Sequence, residues 1–306
     1  QAVSKAIADV THAMENGVNA ILGIGGGTGG HIAFKVLRAM PITFPKMLVT
    51  TLPFDPRYEL ADNSIVLVPT LADLSGLNAT LREVLENAAA MTAGICRTRR
   101  KANACVLHPS IGVTGLGVTA GAVRPLIEAM RARGRETTVF HANGIGGAAF
   151  SRFARRGAFH SVRALTPQEL TRIHVAGAHV DMPERFTAAG CIPQVVLPGG
   201  LNFIGLGEMS LIQQRYLSRP HYAHSGLFTH IKLVNEEMAD VARRLCEGLN
   251  KGVGKRVMIV PMGGLSNQDC PGGAIEDPEL RSVFLSTVEA HLSPEVDLRV
   301  KDGPQQ

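Results

Sequence analysis

Asn19-Ala-Ile-Leu-Gly-Ile-Gly-Gly-Gly-Thr-Gly-Gly30 is a short apolar run of strand type that passes into a cluster of glycines, and Thr28–Met40 beyond it has a helical period. A strand that turns on glycines directly into a helix begins a β–α unit, so this stretch points to alternating strands and helices around parallel sheets. Glycines let backbone N–H groups close on an anion, and the helix N-terminus adds partial positive charge. The candidate phosphate cradle is therefore Gly25, Gly26, Gly27, Thr28, Gly29 and Gly30, with the Thr28 hydroxyl as an extra donor. Gly25, Gly27 and Gly30 satisfy GxGxxG. However, no Gly-Lys-Ser/Thr ending follows, which excludes a P-loop. The next strand runs into Thr50-Thr51 with no acidic residue to clamp the ribose of a dinucleotide. Anion binding and tight strand–helix packing both remain open as reasons for these glycines.

Working outward, the same unit recurs along the chain. Lys46–Thr50 and Ser64–Val68 read as strands. Asn78 reads as the N-cap of a helix to about Ile95, with Leu81, Leu85, Ala88, Met91 and Ile95 on one face. Arg97–Ala104 is charged and lacks an apolar period, which marks a boundary between a first domain, residues 1–100, and a second, residues 101–306. Beyond it, Ser110–Thr114, Thr137–His141, Pro193–Leu197, His230–Val234, Arg256–Val260 and Val296–Val300 read as strands. Helices are expected over 124–134 with Pro125 in the first turn, over 146–156, and over 167–176 capped by Thr166. Two more are expected from Asn235, with Glu236 and Glu237 in the first turn, and over 277–291. The strand runs are continuously apolar, as strands buried on both faces should be. The fold class is thus α/β, with two Rossmann-like open parallel sheets carrying helices on both faces. A single closed barrel fits the boundary and the uneven spacing less well. The chain opens inside an amphipathic helix (Val3, Ile7, Val10, Met14), so the first domain is expected to lack an N-terminal strand.

Composition narrows the classes. Of 306 residues, 45 % are hydrophobic and 19 % charged, which supports a large core and excludes global disorder. With no Trp and only 3 Tyr, a stacking platform for single-stranded nucleic acid is disfavoured, and no nucleic-acid motif is present. No apolar run is long enough to span a membrane. The five cysteines form no CxxC pair and fit a reducing cytoplasmic setting. The net charge of +5 is concentrated in Arg97–Lys101, Arg131–Arg135 and Arg152–Arg156, either as solvated helix ends or as a surface for an anionic partner.

Two further turns resemble the first: 112–119, ending in Thr119, and 141–147, with His141, Gly144, Gly146 and Gly147. Both lie between a strand and a helix, where ligands of open parallel sheets bind, so they are expected to share a cleft with the first loop. His141 is a candidate acid/base. Asp269, in the Gly-rich loop 261–273, is a candidate to hold Mg²⁺ or orient a water, and Asn202 sits in a third Gly-rich stretch, 197–207. His221, His224 and His230, and separately His174, His179 and Asp181, invite a metal reading against which chance pairing weighs more heavily. Cys191 and Cys270 have no local base to make them nucleophiles.

These stretches together resemble one family, the uncharacterised proteins that share the ATP-binding domain of the tomato mosaic virus resistance protein, an inhibitor of viral RNA replication. The resemblance is carried by Gly23–Gly30 with Pro45–Thr51, by Asp73–Asn78 and 112–119, and by Val139–Gly147 and Ile192–Gly199. His224 with Glu236–Glu237, and Ser266 with Asp269–Gly272, complete it. It implies two Rossmann-like subdomains, a homodimer, and ATP with Mg in a cleft lined by Gly25–Gly30, Thr50, Thr51, Thr119, Gly144, Gly146 and Gly147. The chain departs from the family pattern at Pro53–Arg57 and at its end, Lys301–Gln306. Two other readings stand beside the nucleotide-binding one. The first is an enzyme on a small phosphorylated or carboxylated metabolite, with His141 or His224 as acid/base and Asp269 in support. The second is a protein-interaction module.

Overall fold

The computed structural model describes residues 1–53, 55–61, 63–98, 110–177 and 182–304. The chain divides into two units, residues 1–107 and 108–306. The boundary stretch beyond Thr98, together with Cys105, His179 and Asp181, lies outside the described residues.

The first unit runs α1 (Ala2–Glu15), β1 (Ile21–Ile24), α2 (Gly27–Ala39), β2 (Lys46–Thr50), α3 (Arg57–Leu60), β3 (Ile65–Pro69) and α4 (Ala79–Thr98). Its three strands form a parallel sheet in the order β1-β2-β3, with Leu48 opposite Gly23 on one side and Leu67 on the other. Alternate residues of β2 serve opposite faces. Leu48 packs with Phe34 and Leu37 of α2, while Met47 and Val49 pack with Ala88 and Leu85 of α4. Every residue of β2 is therefore buried, which explains its unbroken apolar run. Asn78 caps α4 as expected, its Oδ1 accepting from the Leu81 N–H at 2.9 Å.

The second unit is larger. It runs β4 (Ser110–Gly115), a 3₁₀ turn (Gly117–Thr119), α5 (Ala120–Arg131), β5 (Thr137–His141), α6 (Gly146–Arg155), β6 (Phe159–Ala164), α7 (Glu169–His174) and β7 (Gln194–Val196). It continues with β8 (Phe203–Leu206), α8 (Gln214–Leu217), β9 (His221–Ser225), β10 (Phe228–Lys232), α9 (Asn235–Asn250), β11 (Arg256–Pro261), α10 (Pro278–His291) and β12 (Val296–Lys301). Six strands make a parallel sheet in the order β12-β11-β7-β6-β4-β5. The α9 and α10 helices bury Met238, Val241, Leu245, Phe284 and Val288 against Val196, Met258 and Val260. Elsewhere in the unit Phe150 of α6 stacks on Phe159 and meets Phe140 edge-on. Each such fully buried side chain contributes roughly 1.5–3 kcal/mol.

The architecture is thus α/β with parallel sheets flanked by helices, and the second unit adds a small antiparallel sheet, β8-β10-β9, that the strand–helix rhythm did not announce. Four local readings change. Strand β6, in His-and-Arg-bearing sequence, was not expected at all. Helix α5 begins at Ala120, because the 3₁₀ turn enters it directly from β4, and Pro125 lies inside it rather than in its first turn. Thr166 does not cap α7: its hydroxyl is buried and bonds that of Thr119 at 2.8 Å. At α9 the cap position is Val234, whose N–H is taken by the Glu237 carboxylate at 3.1 Å, and Asn235 is the first helical residue. Among the described residues, no helix is long and apolar enough to cross a membrane.

Candidate functional site

In the first unit the glycines of the Gly25–Gly30 loop divide into two kinds. A Cβ on Gly25 would lie 2.5 Å from the Gly29 carbonyl carbon, and one on Gly30 would lie 2.7 Å from the Thr50 hydroxyl. Those two glycines, and the buried Thr50 beside them, are needed for the strand–helix turn to close. Gly26, Gly27 and Gly29 meet nothing closer than 3.6 Å. They form the uncapped N-terminus of α2, with Thr28 exposed among them.

Gly27 borders a cleft of about 480 Å³ at the carboxyl ends of the strands, lined also by Thr51, Pro53, Thr70, Leu71 and Asp73. The Thr70 side chain is fully buried, and its hydroxyl has no hydrogen-bond partner. Among the described residues only Leu52 and Leu71 are non-glycine residues with left-handed backbone, φ 49° and 61°. Each stands two positions after a neighbouring strand end, β2 and β3, on the loops around this cleft. Such a conformation costs a β-carbon-bearing residue roughly 1–2 kcal/mol.

In the second unit the chain leaves β4 toward β5 and leaves β6 toward β7, in opposite directions. The switch point therefore lies between β4 and β6, where open α/β sheets form a ligand crevice. The Thr119–Thr166 hydroxyl bond ties the two diverging loops together. A pocket of about 220 Å³ opens there. His141 and Asn143, from the end of β5, enter it beside Gly117 at the head of α5. Gln168 and Arg172 come from the β6 side, and His224 and His230 from the antiparallel sheet. The structure thus brings His141 and His224 into one pocket. Neither neighbouring strand β6 nor residues Gln168, Arg172 and Phe203 had been singled out from sequence.

His230 is the most constrained group. Its ring is sandwiched between Phe203 (centroids 4.1 Å) and His224 (4.4 Å, 9° between planes), and Nδ1 lies 2.8 Å from the Tyr222 hydroxyl. Burial, then the neighbouring His224 and Arg172, push its pKa down to about 3. Burial also pushes the Tyr222 phenol up to about 12, so it keeps its proton. In the unfolded chain His230 takes a proton near its ordinary value of about 6.5, whereas the folded chain resists until about 3. Stability should therefore fall as pH drops through that window, with a slope approaching ~1.4 kcal/mol per pH unit from this residue. Urea titrations between those two pH values should show a shallower slope for His230→Gln than for wild type; parallel slopes would mean that His230 is not held neutral.

The remaining expected site residues line neither crevice. Gly146 and Gly147 are buried at the start of α6, where added β-carbons would collide with the His141 carbonyl and the Glu169 carboxylate. Gly144 has φ 64°, which suits glycine. Asp269 is fully buried and bonds Arg281 at 2.7 Å, away from either crevice's lining. Asn202 is also buried, donating to Ser266 at 3.3 Å. His221 bonds the Arg219 carbonyl, and no group of three metal-ligating side chains forms among the described residues.

Residues 1–101 match the N-terminal domain, and residues 108–304 the C-terminal domain, of the uncharacterised protein family UPF0261. The chain belongs to this family. A UPF0261 protein of Clostridium tetani is 31 % identical over 284 residues, covering 90 % of this chain and 69 % of that protein. One from Mesorhizobium japonicum is 30 % identical over 94 % of this chain and 73 % of its own length. The ToMV resistance protein Tm-1(GCR237) of Solanum lycopersicum is 28 % identical over 297 residues, 95 % of this chain and 39 % of the tomato protein. The resemblance read from the loops is therefore a family relationship that spans both units.

Proposed function

We propose that this UPF0261 protein binds a nucleotide triphosphate, ATP with Mg²⁺, through the cleft at the carboxyl ends of β1, β2 and β3. The observation that carries the reading is the buried, unpartnered Thr70 hydroxyl in a cleft bordered by an uncapped, glycine-built helix N-terminus. A phosphate oxygen would satisfy that hydroxyl and the orphan N–H groups of Gly27–Gly29 together. Thr51 supplies a further hydroxyl. Asp73, in the same cleft, is better placed than buried Asp269 to hold Mg²⁺. The volume of about 480 Å³ falls within the usual ~300–1,000 Å³ for sites of this ligand size.

Calorimetric titration of ATP, with and without Mg²⁺, tests this. Gly27→Val has room at its β-carbon, 3.6 Å from Pro53, and should leave the melting temperature nearly unchanged. It should nevertheless weaken ATP at least about tenfold by filling the cleft. Wild-type affinity in that variant, or no ATP binding by the wild-type protein, would overturn the assignment.

A further inference from the structure

Of the two leucines with left-handed backbone, Leu52 and Leu71, only Leu52 gains from its position within the fold. It is half-buried, and its N–H donates to the Thr50 hydroxyl at 3.4 Å. Leu71 is 84 % exposed, although it lines the cleft beside Thr70. Its φ of 61° is closed into a three-residue turn by the Ala72 N–H, which donates to the Thr70 carbonyl at 2.6 Å. Turns of that length with a positive φ at the centre are rare and strained. The Thr70 N–H donates to the Thr50 carbonyl at 3.1 Å, so the turn is anchored to the end of β2.

Two unfavourable features therefore meet at one position. A residue with a β-carbon is held in a region suited to glycine, and a large apolar side chain stays in water. Glycine or asparagine would ease both, yet leucine stands there. Strain that the fold does not offset is found at ligand clamps, where a bound molecule supplies the missing contacts. The preceding residue narrows the kind of molecule. Thr70 lines the same cleft with a buried hydroxyl that has no partner. An unmet polar group and an uncovered apolar one thus stand side by side, as the phosphate and nucleoside ends of a nucleotide do. Pro53 closes the phosphate end, 3.6 Å from where a Gly27 β-carbon would lie.

We infer that Leu71 holds the nucleoside of the bound triphosphate, an inference that rests on the nucleotide site proposed above. Thr70 and the N-terminus of α2 take phosphate oxygens, and the Leu71 side chain packs on the apolar face of the sugar and base. Contact with the ligand takes Leu71 out of water, so the strain of the free protein is offset only in the complex. ATP is then held more tightly than its phosphate chain alone, and one side chain carries much of the difference.

Calorimetry of the full chain in Mg²⁺ compares ATP with inorganic tripolyphosphate. The wild-type protein should bind ATP at least about tenfold more tightly than tripolyphosphate. Leu71→Gly suits the positive φ and should leave the melting temperature unchanged or raised. In that variant ATP affinity should fall to about that of tripolyphosphate, whose own affinity stays as in wild type. Leu71→Met restores apolar cover and should bind ATP nearly as wild type does, whereas Gly27→Val, at the phosphate end, should weaken both ligands together. The inference is overturned if Leu71→Gly keeps wild-type affinity for ATP, or if it weakens ATP and tripolyphosphate alike, since the loop would then shape only the phosphate end. Equal binding of the two ligands by wild type would also overturn it, while leaving the phosphate cradle standing. Binding of neither ligand would overturn the nucleotide site and this inference together.

Discussion

Asp269→Ala is expected to cost the second unit about 3–5 kcal/mol, a large part of the stability of a typical domain. The Asp269 carboxylate gathers the loop between β11 and α10. Oδ2 accepts from the Leu265 N–H at 2.9 Å, and Oδ1 accepts from the Asp277 N–H at 3.0 Å and from Arg281 at 2.7 Å. Asp277 in turn caps α10 through the Leu280 N–H. Burial raises the Asp269 pKa despite these bonds, so the pair itself is not a cheap source of stability. Removing one partner is worse than never having the pair, because the Arg281 guanidinium, 4 % exposed, is left buried without its countercharge. Asp269→Asn should fall between wild type and alanine. Asp269→Leu combined with Arg281→Met should recover part of the loss: both charges leave together, but the Leu265 and Asp277 N–H groups still lose their acceptor. Urea unfolding followed by far-ultraviolet circular dichroism measures all three. A wild-type midpoint for Asp269→Ala would free this carboxylate for the metal-holding role that the sequence suggested.

The second large effect is expected at Gly147. An added methyl there runs into the Glu169 carboxylate and lies 2.6 Å from the Met182 sulfur. Glu169 has no room to yield: it is fully buried and paired with Arg185 at 3.2 Å. Arg185 in turn lies 4.6 Å over the Phe150 ring and donates to Thr114 at 3.3 Å. Gly147→Ala must therefore part a buried ion pair or displace α6, at about 3–5 kcal/mol. Gly144→Ala, three residues earlier in the same turn, meets no atom within 4 Å and faces only its φ of 64°, a cost of roughly 1–2 kcal/mol. Thermal melts of the two variants should differ by several degrees at least. Equal losses would show that turn conformation, not the Glu169 contact, selects these glycines.

The elements legible in the sequence were those whose signal is local. Strand β2 carries three consecutive apolar residues, Met47-Leu-Val49, because α2 and α4 cover both its faces, and its limits, Lys46–Thr50, match the sequence reading. Asn78 announced α4 because an Asn side chain before a helical stripe has one common use. Strand β6 was missed because Phe159-His-Ser-Val-Arg-Ala164 mixes polar and apolar residues, with His160 exposed and Ser161 and Arg163 half-buried among buried neighbours, and resembles a loop. Of the antiparallel sheet, β10 overlaps the expected strand His230–Val234, whereas β9, His221-Tyr-Ala-His-Ser225, is hidden because its one strand former, Tyr222, stands among His, Ala and Ser.

Strand–helix alternation, the glycine turn at 23–30 and the family are properties of residue order, because periodicity and capping act over a few neighbouring residues. The purpose of each glycine is not. Gly25, Gly30, Gly146 and Gly147 carry no side chain because other parts of the chain occupy that space, whereas Gly27 and Gly29 face an opening, and no spacing rule separates the two. The same holds for the ionisable residues. Asp269 and His230 both lie in stretches that looked reactive, but one is spent on a buried clasp with Arg281. The other is stacked, held neutral and turned into a crevice created by the order of strands β4 and β6. Burial, charge pairing and strand order are long-range outcomes of packing, so those roles exist only once the sheet has formed.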